Sequence, residues 1–170
     1  MQWLRLKSNS GRWAMEAGTL RVYLNGSENY SDWVRNFAVG RRQTPQGYVN
    51  RVDHREALAT IRELRAQIAE ADSVIVAGHS RGASEALAMA QEIRAKGKRV
   101  SALLFAPKRT GCRDYTDESL YIAYRHRGDW VPFLPPWYAG YKNIVFGQFK
   151  LIWIAHEPRE YYDRIKQNGF

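Results

Sequence analysis

The chain has 170 residues, 45% hydrophobic and 25% charged, a length and composition that suit one globular domain over residues 1–170 and exclude a disordered or low-complexity protein. It carries 26 Lys and Arg against 17 Asp and Glu, a formal charge of +9. The basic residues are scattered in short doublets such as Arg41-Arg42 and Lys108-Arg109, which argues against nucleic acid as a partner; after plain solvation, an anionic lipid surface is the next use for such charge.

The single cysteine, Cys112, excludes an intramolecular disulfide framework and a multi-cysteine metal site. The longest apolar runs, Ser73 to Ala77 and Val100 to Ala106, are too short to span a bilayer. Met1 to Lys7 lacks the basic start and apolar stretch of a secretory signal, so a cytoplasmic location is the expectation.

In chain order, Arg12 to Glu16 and Thr19 to Leu24 read as strands joined by a tight Ala17-Gly18 turn. Asn25 to Asn29 is a loop, and Ser31 to Phe37 reads as a short helix capped by Ser31. Gly40 to Gly47, polar and containing Pro45, reads as a loop. Asp53 to Ala71 reads as one long helix, with Ala57, Leu58, Ile61, Leu64 and Ile68 at helical spacing.

A buried strand follows, Ser73 to Ala77, then Gly78-His79-Ser80-Arg81-Gly82 turns the chain into a helix, Ala83 to Ala95, ended by Lys96-Gly97. Val100 to Phe105 and Leu120 to Tyr124 are further strands. Trp130 to Tyr141, rich in proline and aromatics, is an irregular loop. Ile144 to Phe146 and Leu151 to Ile154 read as strands, and Arg159 to Lys166 as a last helix. Strands alternating with helices predict an α/β fold: a mainly parallel central sheet with helices on both faces.

The segment from Val74 to Gly82 fits the Gly-x-Ser-x-Gly nucleophile elbow of the α/β-hydrolase fold in its required context, strand before and helix after. Gly78 and Gly82 let strand and helix approach closely. Ser80 sits at the sharp turn between them. The following helix points its positive end at developing charge, and the Arg81 backbone N–H becomes an oxyanion donor.

A serine nucleophile needs a base, and the base an orienting carboxylate, in the chain order Ser, Asp or Glu, His. The histidines after Ser80 are His126 and His156. His126 precedes the best acid, Asp129, and breaks that order, so Asp129 and His156 are the candidates, with Asp114 and Asp117 as fallback acids. His54 and His79 read as structural. No motif calls for a cofactor or a metal.

Several segments together resemble the class 3 lipases, the family of the fungal triacylglycerol lipases, in abbreviated form. They are Asn25-Gly26-Ser27 with Asp32-Trp33 downstream, Gly78 to Ala83, Phe105-Ala106-Pro107, Gly128 to Pro136, and His156 followed by Tyr161-Tyr162. The resemblance implies an ester hydrolase with Ser80, Asp129 and His156 as its triad and Ser27 as second oxyanion donor. It implies a small-molecule or lipid ester as substrate. Arg81 departs from it, standing where the family usually has Leu. Trp130, Phe133 and Trp137, with Tyr138 and Tyr141, are candidates to line an acyl groove. The alternative reading is a catalytically silent protein of the same fold that binds lipid or nucleic acid through its basic surface.

Overall fold

The computed structural model describes residues 2–26 and 40–170, except for the side chains of residues 152 and 153. The elements are β1 (Leu4–Arg5), β2 (Arg12–Glu16), β3 (Thr19–Leu24), β4 (Arg41–Thr44), β5 (Gly47–Asn50), α1 (Arg51–Glu63) and α2 (Arg65–Glu70). They continue with β6 (Ser73–His79), α3 (Arg81–Ala95), β7 (Val100–Phe105), β8 (Tyr121–His126), β9 (Asn143–Phe146), α4 (Ile152–Ala155) and α5 (Pro158–Gln167).

A seven-stranded sheet in the order β1-β2-β3-β6-β7-β8-β9 forms the centre of the molecule. β1, β2 and β3 pair antiparallel, and from β3 to β9 every pairing is parallel. Parallel strands are buried on both faces, and their side chains divide by alternation. Leu20, Val22, Val74, Val76, Ala102 and Leu104 point to one side and join the apolar face of α3 and α1. Tyr23, Ala77, Leu103 and Phe105 point to the other, where Tyr161 and Ile165 of α5 cover them. Each large apolar side chain so buried contributes roughly 1.5–3 kcal/mol. The architecture is the α/β-hydrolase fold, with helices on both faces of a mostly parallel sheet.

The β2–β3 hairpin, the β7 strand and the mainly parallel sheet follow the expectation from sequence. Three elements differ from it. Arg41–Thr44 and Gly47–Asn50 are an antiparallel hairpin turning at Pro45-Gln46, not a loop. Its side chains lack a clean apolar alternation, so the strands carried no periodic signal. The predicted long helix begins earlier and breaks in two at Leu64 (φ −93°, ψ 19°). Asn50 caps its start by accepting from the Val52 and Asp53 backbone N–H groups at 2.9 and 3.3 Å, a cap of about 1 kcal/mol. The apolar run predicted as a strand at Leu151–Ile154 falls in a region that becomes the short helix α4; four apolar residues do not separate strand from helix. The predicted helix at Ser31–Phe37 lies outside the described residues.

A buried polar cluster ties the loop after β7 to the helices. Lys108 Nζ pairs with Asp53 Oδ2 of α1 at 2.5 Å, and the Thr110 hydroxyl donates to the same oxygen. The Lys108 carbonyl accepts from Ser84 Oγ of α3 at 2.6 Å and from Tyr141 Oη at 3.1 Å. Removing one partner of such a pair would leave the other buried and unpaired, at a cost of several kcal/mol.

Candidate active site

β6 is the middle strand of the seven, so its C-terminal end opens at the centre of the sheet edge, where ligands of open α/β sheets bind. Ser80 follows at φ 55°, ψ −119°, a conformation that costs about 1–3 kcal/mol and persists only when its surroundings enforce it. They do so on both sides. The Ser80 N–H donates to the Phe105 carbonyl at 2.9 Å, extending the β6–β7 ladder by one residue. A Cβ on Gly78 would lie 2.4 Å from the Gly82 carbonyl oxygen, and a Cβ on Gly82 would lie 2.2 Å from that of Leu24. Strand, helix and the end of β3 thus pack at distances that only glycine permits.

Arg81 begins α3, and its backbone N–H has no hydrogen-bond partner among the described residues, whereas Ala83 N and Ser84 N reach the Ser80 carbonyl. The free N–H is the orphan donor expected in a helix first turn. Gly26 passes beside it: a Cβ there would stand 3.2 Å from Ser80 Cβ. Ser27, the other predicted oxyanion donor, lies outside the described residues.

The structure brings Ser80, His156 and Asp129 together. His156, between α4 and α5, places Nε2 2.9 Å from Ser80 Oγ. Its Nδ1 lies 3.0 Å from Asp129 Oδ2 and 3.2 Å from Oδ1. Asp129, three residues past β8, is fully buried. An ionised carboxylate only accepts, so Nδ1–H donates to it and leaves Nε2 free to accept the serine proton. Asp129 Oδ1 also accepts from the Val131 N–H at 3.0 Å.

One partner was not assigned a role from sequence. The Tyr161 hydroxyl of α5 donates to Asp129 Oδ2 and accepts from the His126 N–H at 2.9 Å. Burial and the Asp129 charge push its pKa up, so it stays a donor. The tyrosine pair was visible as part of the family resemblance; its contact requires α5 to fold back over the sheet. Tyr161→Phe is expected to cost about 2 kcal/mol, because it strips a charge-assisted bond and leaves the His126 N–H buried and unpaired. Urea unfolding of the two proteins measures it; equal stabilities would show that the hydroxyl contributes nothing.

His79 is buried, its ring 5.0 Å from that of His156. Burial first, then the neighbouring His156, pull its pKa down to about 3, so it braces His156 as a neutral ring. His54 is bound to Glu92 at 2.9 Å, and His126 to the Arg127 carbonyl at 2.9 Å. Of the fallback acids, Asp117 pairs with Arg94 at 2.9 Å. Trp130, Phe133 and Trp137 are 60%, 41% and 42% exposed, whereas Tyr138 and Tyr141 are buried. Among the described residues no group of three or more His, Cys, Asp or Glu can hold a metal ion, and no helix is long and apolar enough to cross a membrane.

The fold has relatives among solved structures. The Lip2 lipase of Yarrowia lipolytica superposes with a TM-score of 0.69 at 14% identity, covering 86% of this chain and 65% of its own. A fungal lipase in complex with an inhibitor superposes at 0.71 with 16% identity, covering 88% of this chain and 67% of its own. A triacylglycerol lipase whose catalytic centre is a triad of the serine-protease kind superposes at 0.63 with 18% identity, covering 86% and 66%. This chain spans about two thirds or less of the length of these lipases. No curated protein is significantly similar to it in sequence. The family model described as Lipase (class 3) matches residues 21–139. That match runs from β3 through the elbow and past Asp129, well over half of the sequence, and the chain therefore belongs to the class 3 lipase family.

Proposed function

We propose that the chain hydrolyses carboxylic esters of lipids through an acyl-enzyme on Ser80. The observation that carries this reading is the unbroken relay from Ser80 Oγ through His156 to Asp129, with contacts of 2.9 and 3.0 Å. Ser80 Oγ attacks the ester carbonyl while His156 Nε2 takes its proton. Asp129 holds the imidazole in the tautomer that can accept and stabilises the imidazolium that forms. The charge gathering on the carbonyl oxygen meets the Arg81 N–H at the positive end of α3, with Ser27 as the second donor. His156 returns the proton to the departing alcohol, then activates the water that releases the acyl group.

The exposed Trp130, Phe133 and Trp137, in the loop that carries Asp129, are assigned to the acyl chain. Together with the net positive charge they suit substrate presented at an anionic lipid surface. The test is labelling with a fluorophosphonate, mapped by mass spectrometry. An adduct on Ser80 that disappears in His156→Ala is expected. Folded protein that takes no label would overturn the reading.

A further inference from the structure

Arg81 follows the nucleophile directly, so its side chain starts one peptide unit, about 3.8 Å, from the Ser80 Cα. The guanidinium is held on one edge only. Its Nε lies 2.9 Å from Glu85 Oε1, one helical turn along α3, but neither atom has hydrogen-bond alignment. The two terminal nitrogens make no ion pair or hydrogen bond with a described residue, and the side chain is 26% exposed.

Glu85, by contrast, is only 1% exposed. The charged groups acting on it are Arg81 of its own helix, Asp53 and Glu56 of α1, and Lys108 from the loop after β7. Lys108 is already committed to Asp53 at 2.5 Å. Burial pushes the Glu85 carboxyl up to about 8, against the pull of Arg81. Near neutral pH this carboxyl is therefore mostly protonated. It lies against one edge of the guanidinium without cancelling its charge.

A cation carried by the residue after the nucleophile, with its outer donors unpaired among the described residues, is suited to receive an anion. A guanidinium fork matches the oxygens of phosphate and carboxylate alike. We propose that Arg81 is a specificity-determining residue that selects esters carrying an oxyanion close to the scissile bond over neutral esters. The assignment rests on the hydrolase reading above and names its substrate class. Glu85 is the positioning residue behind it.

The experiment compares matched monomeric esters, because the overall positive charge of the chain would favour any anionic vesicle regardless of Arg81. Dibutyryl glycerophosphate against tributyrin places a phosphate on the leaving-group side. The p-nitrophenyl half-ester of adipate against p-nitrophenyl hexanoate places a carboxylate on the acyl side. In the wild type, kcat/KM should favour the anionic member of at least one pair, and Arg81→Leu should lower that ratio about tenfold, equivalent to about 1.4 kcal/mol. The pair that responds identifies the anion. Arg81→Leu combined with Glu85→Gln removes the buried partner together with the cation, and should show the same loss if the single variant folds poorly. In the wild type the ratio of whichever pair responds should decline as pH rises through about 8, where ionised Glu85 offsets Arg81, and Glu85→Gln should abolish the decline. No decline would overturn the part given to Glu85. Turnover of all four esters with ratios that Arg81→Leu leaves unchanged would overturn the assignment alone. No turnover of any ester would overturn the hydrolase reading with it.

Discussion

Ser80→Ala is expected to lower kcat on a short-chain ester by about 10⁵–10⁶, the scale on which a serine hydrolase loses its nucleophile. The size of the effect follows from how little else at the site can act. His156 Nε2 has Ser80 Oγ as its partner at 2.9 Å, and without that oxygen no described side chain offers a nucleophile to the base. What survives is binding and oxyanion stabilisation. The fold should be nearly untouched: alanine keeps the Cβ, and the elbow is held by the Ser80 N–H to the Phe105 carbonyl and by the close packing of Gly78 on Gly82. Esterase kinetics alongside thermal unfolding test this pairing. A variant that keeps a tenth of its activity, with an unchanged unfolding midpoint, would remove Ser80 from the mechanism.

Asp129→Asn is expected to cost about 10⁴ in kcat while KM changes little. The shape of the side chain is preserved, but its hydrogen-bonding inventory is not. The carboxylate accepts from three donors: His156 Nδ1, the Val131 N–H and the Tyr161 hydroxyl. An amide has one oxygen for them. If its NH₂ group takes the Oδ2 position it faces His156 and Tyr161 together, so Nδ1 becomes the acceptor and Nε2 carries the proton, the wrong tautomer to take one from Ser80. If it takes the Oδ1 position it faces the Val131 N–H, and a buried donor is left unsatisfied, which costs roughly 1–3 kcal/mol of stability. Either way the imidazolium of the transition state loses its counter-charge. Steady-state kinetics with denaturant unfolding separate the two cases; wild-type kcat in a stable variant would move the acid role elsewhere.

Much of this molecule was legible before folding. The β-branched run Val74 to Val76, the glycines flanking Ser80 and the apolar face of α3 are local features, and local geometry follows from them: strand, turn at positive φ, helix. The β2–β3 hairpin and β7 were equally plain, because alternation and turn residues act over a few positions. Chain order was enough to nominate Asp129 and His156 as partners for Ser80. It could not say that residues 76 apart in sequence meet at 2.9 Å.

Only the tertiary structure decided the rest. Whether the Leu151–Ile154 segment became strand or helix could not be read from the run itself, since four apolar residues are compatible with both. The polar hairpin of β4 and β5 is held by its pairing, and its Val49 is buried by neighbours distant in sequence. Tyr161 reaches Asp129 because α5 covers the face opposite α3. The Glu85 carboxyl is pushed up to about 8 because the fold takes it out of water. Alternation, capping and turn chemistry are short-range and can be read along a chain. Burial, the register between distant elements and the proton affinity of an enclosed group depend on what the folded protein places around each residue.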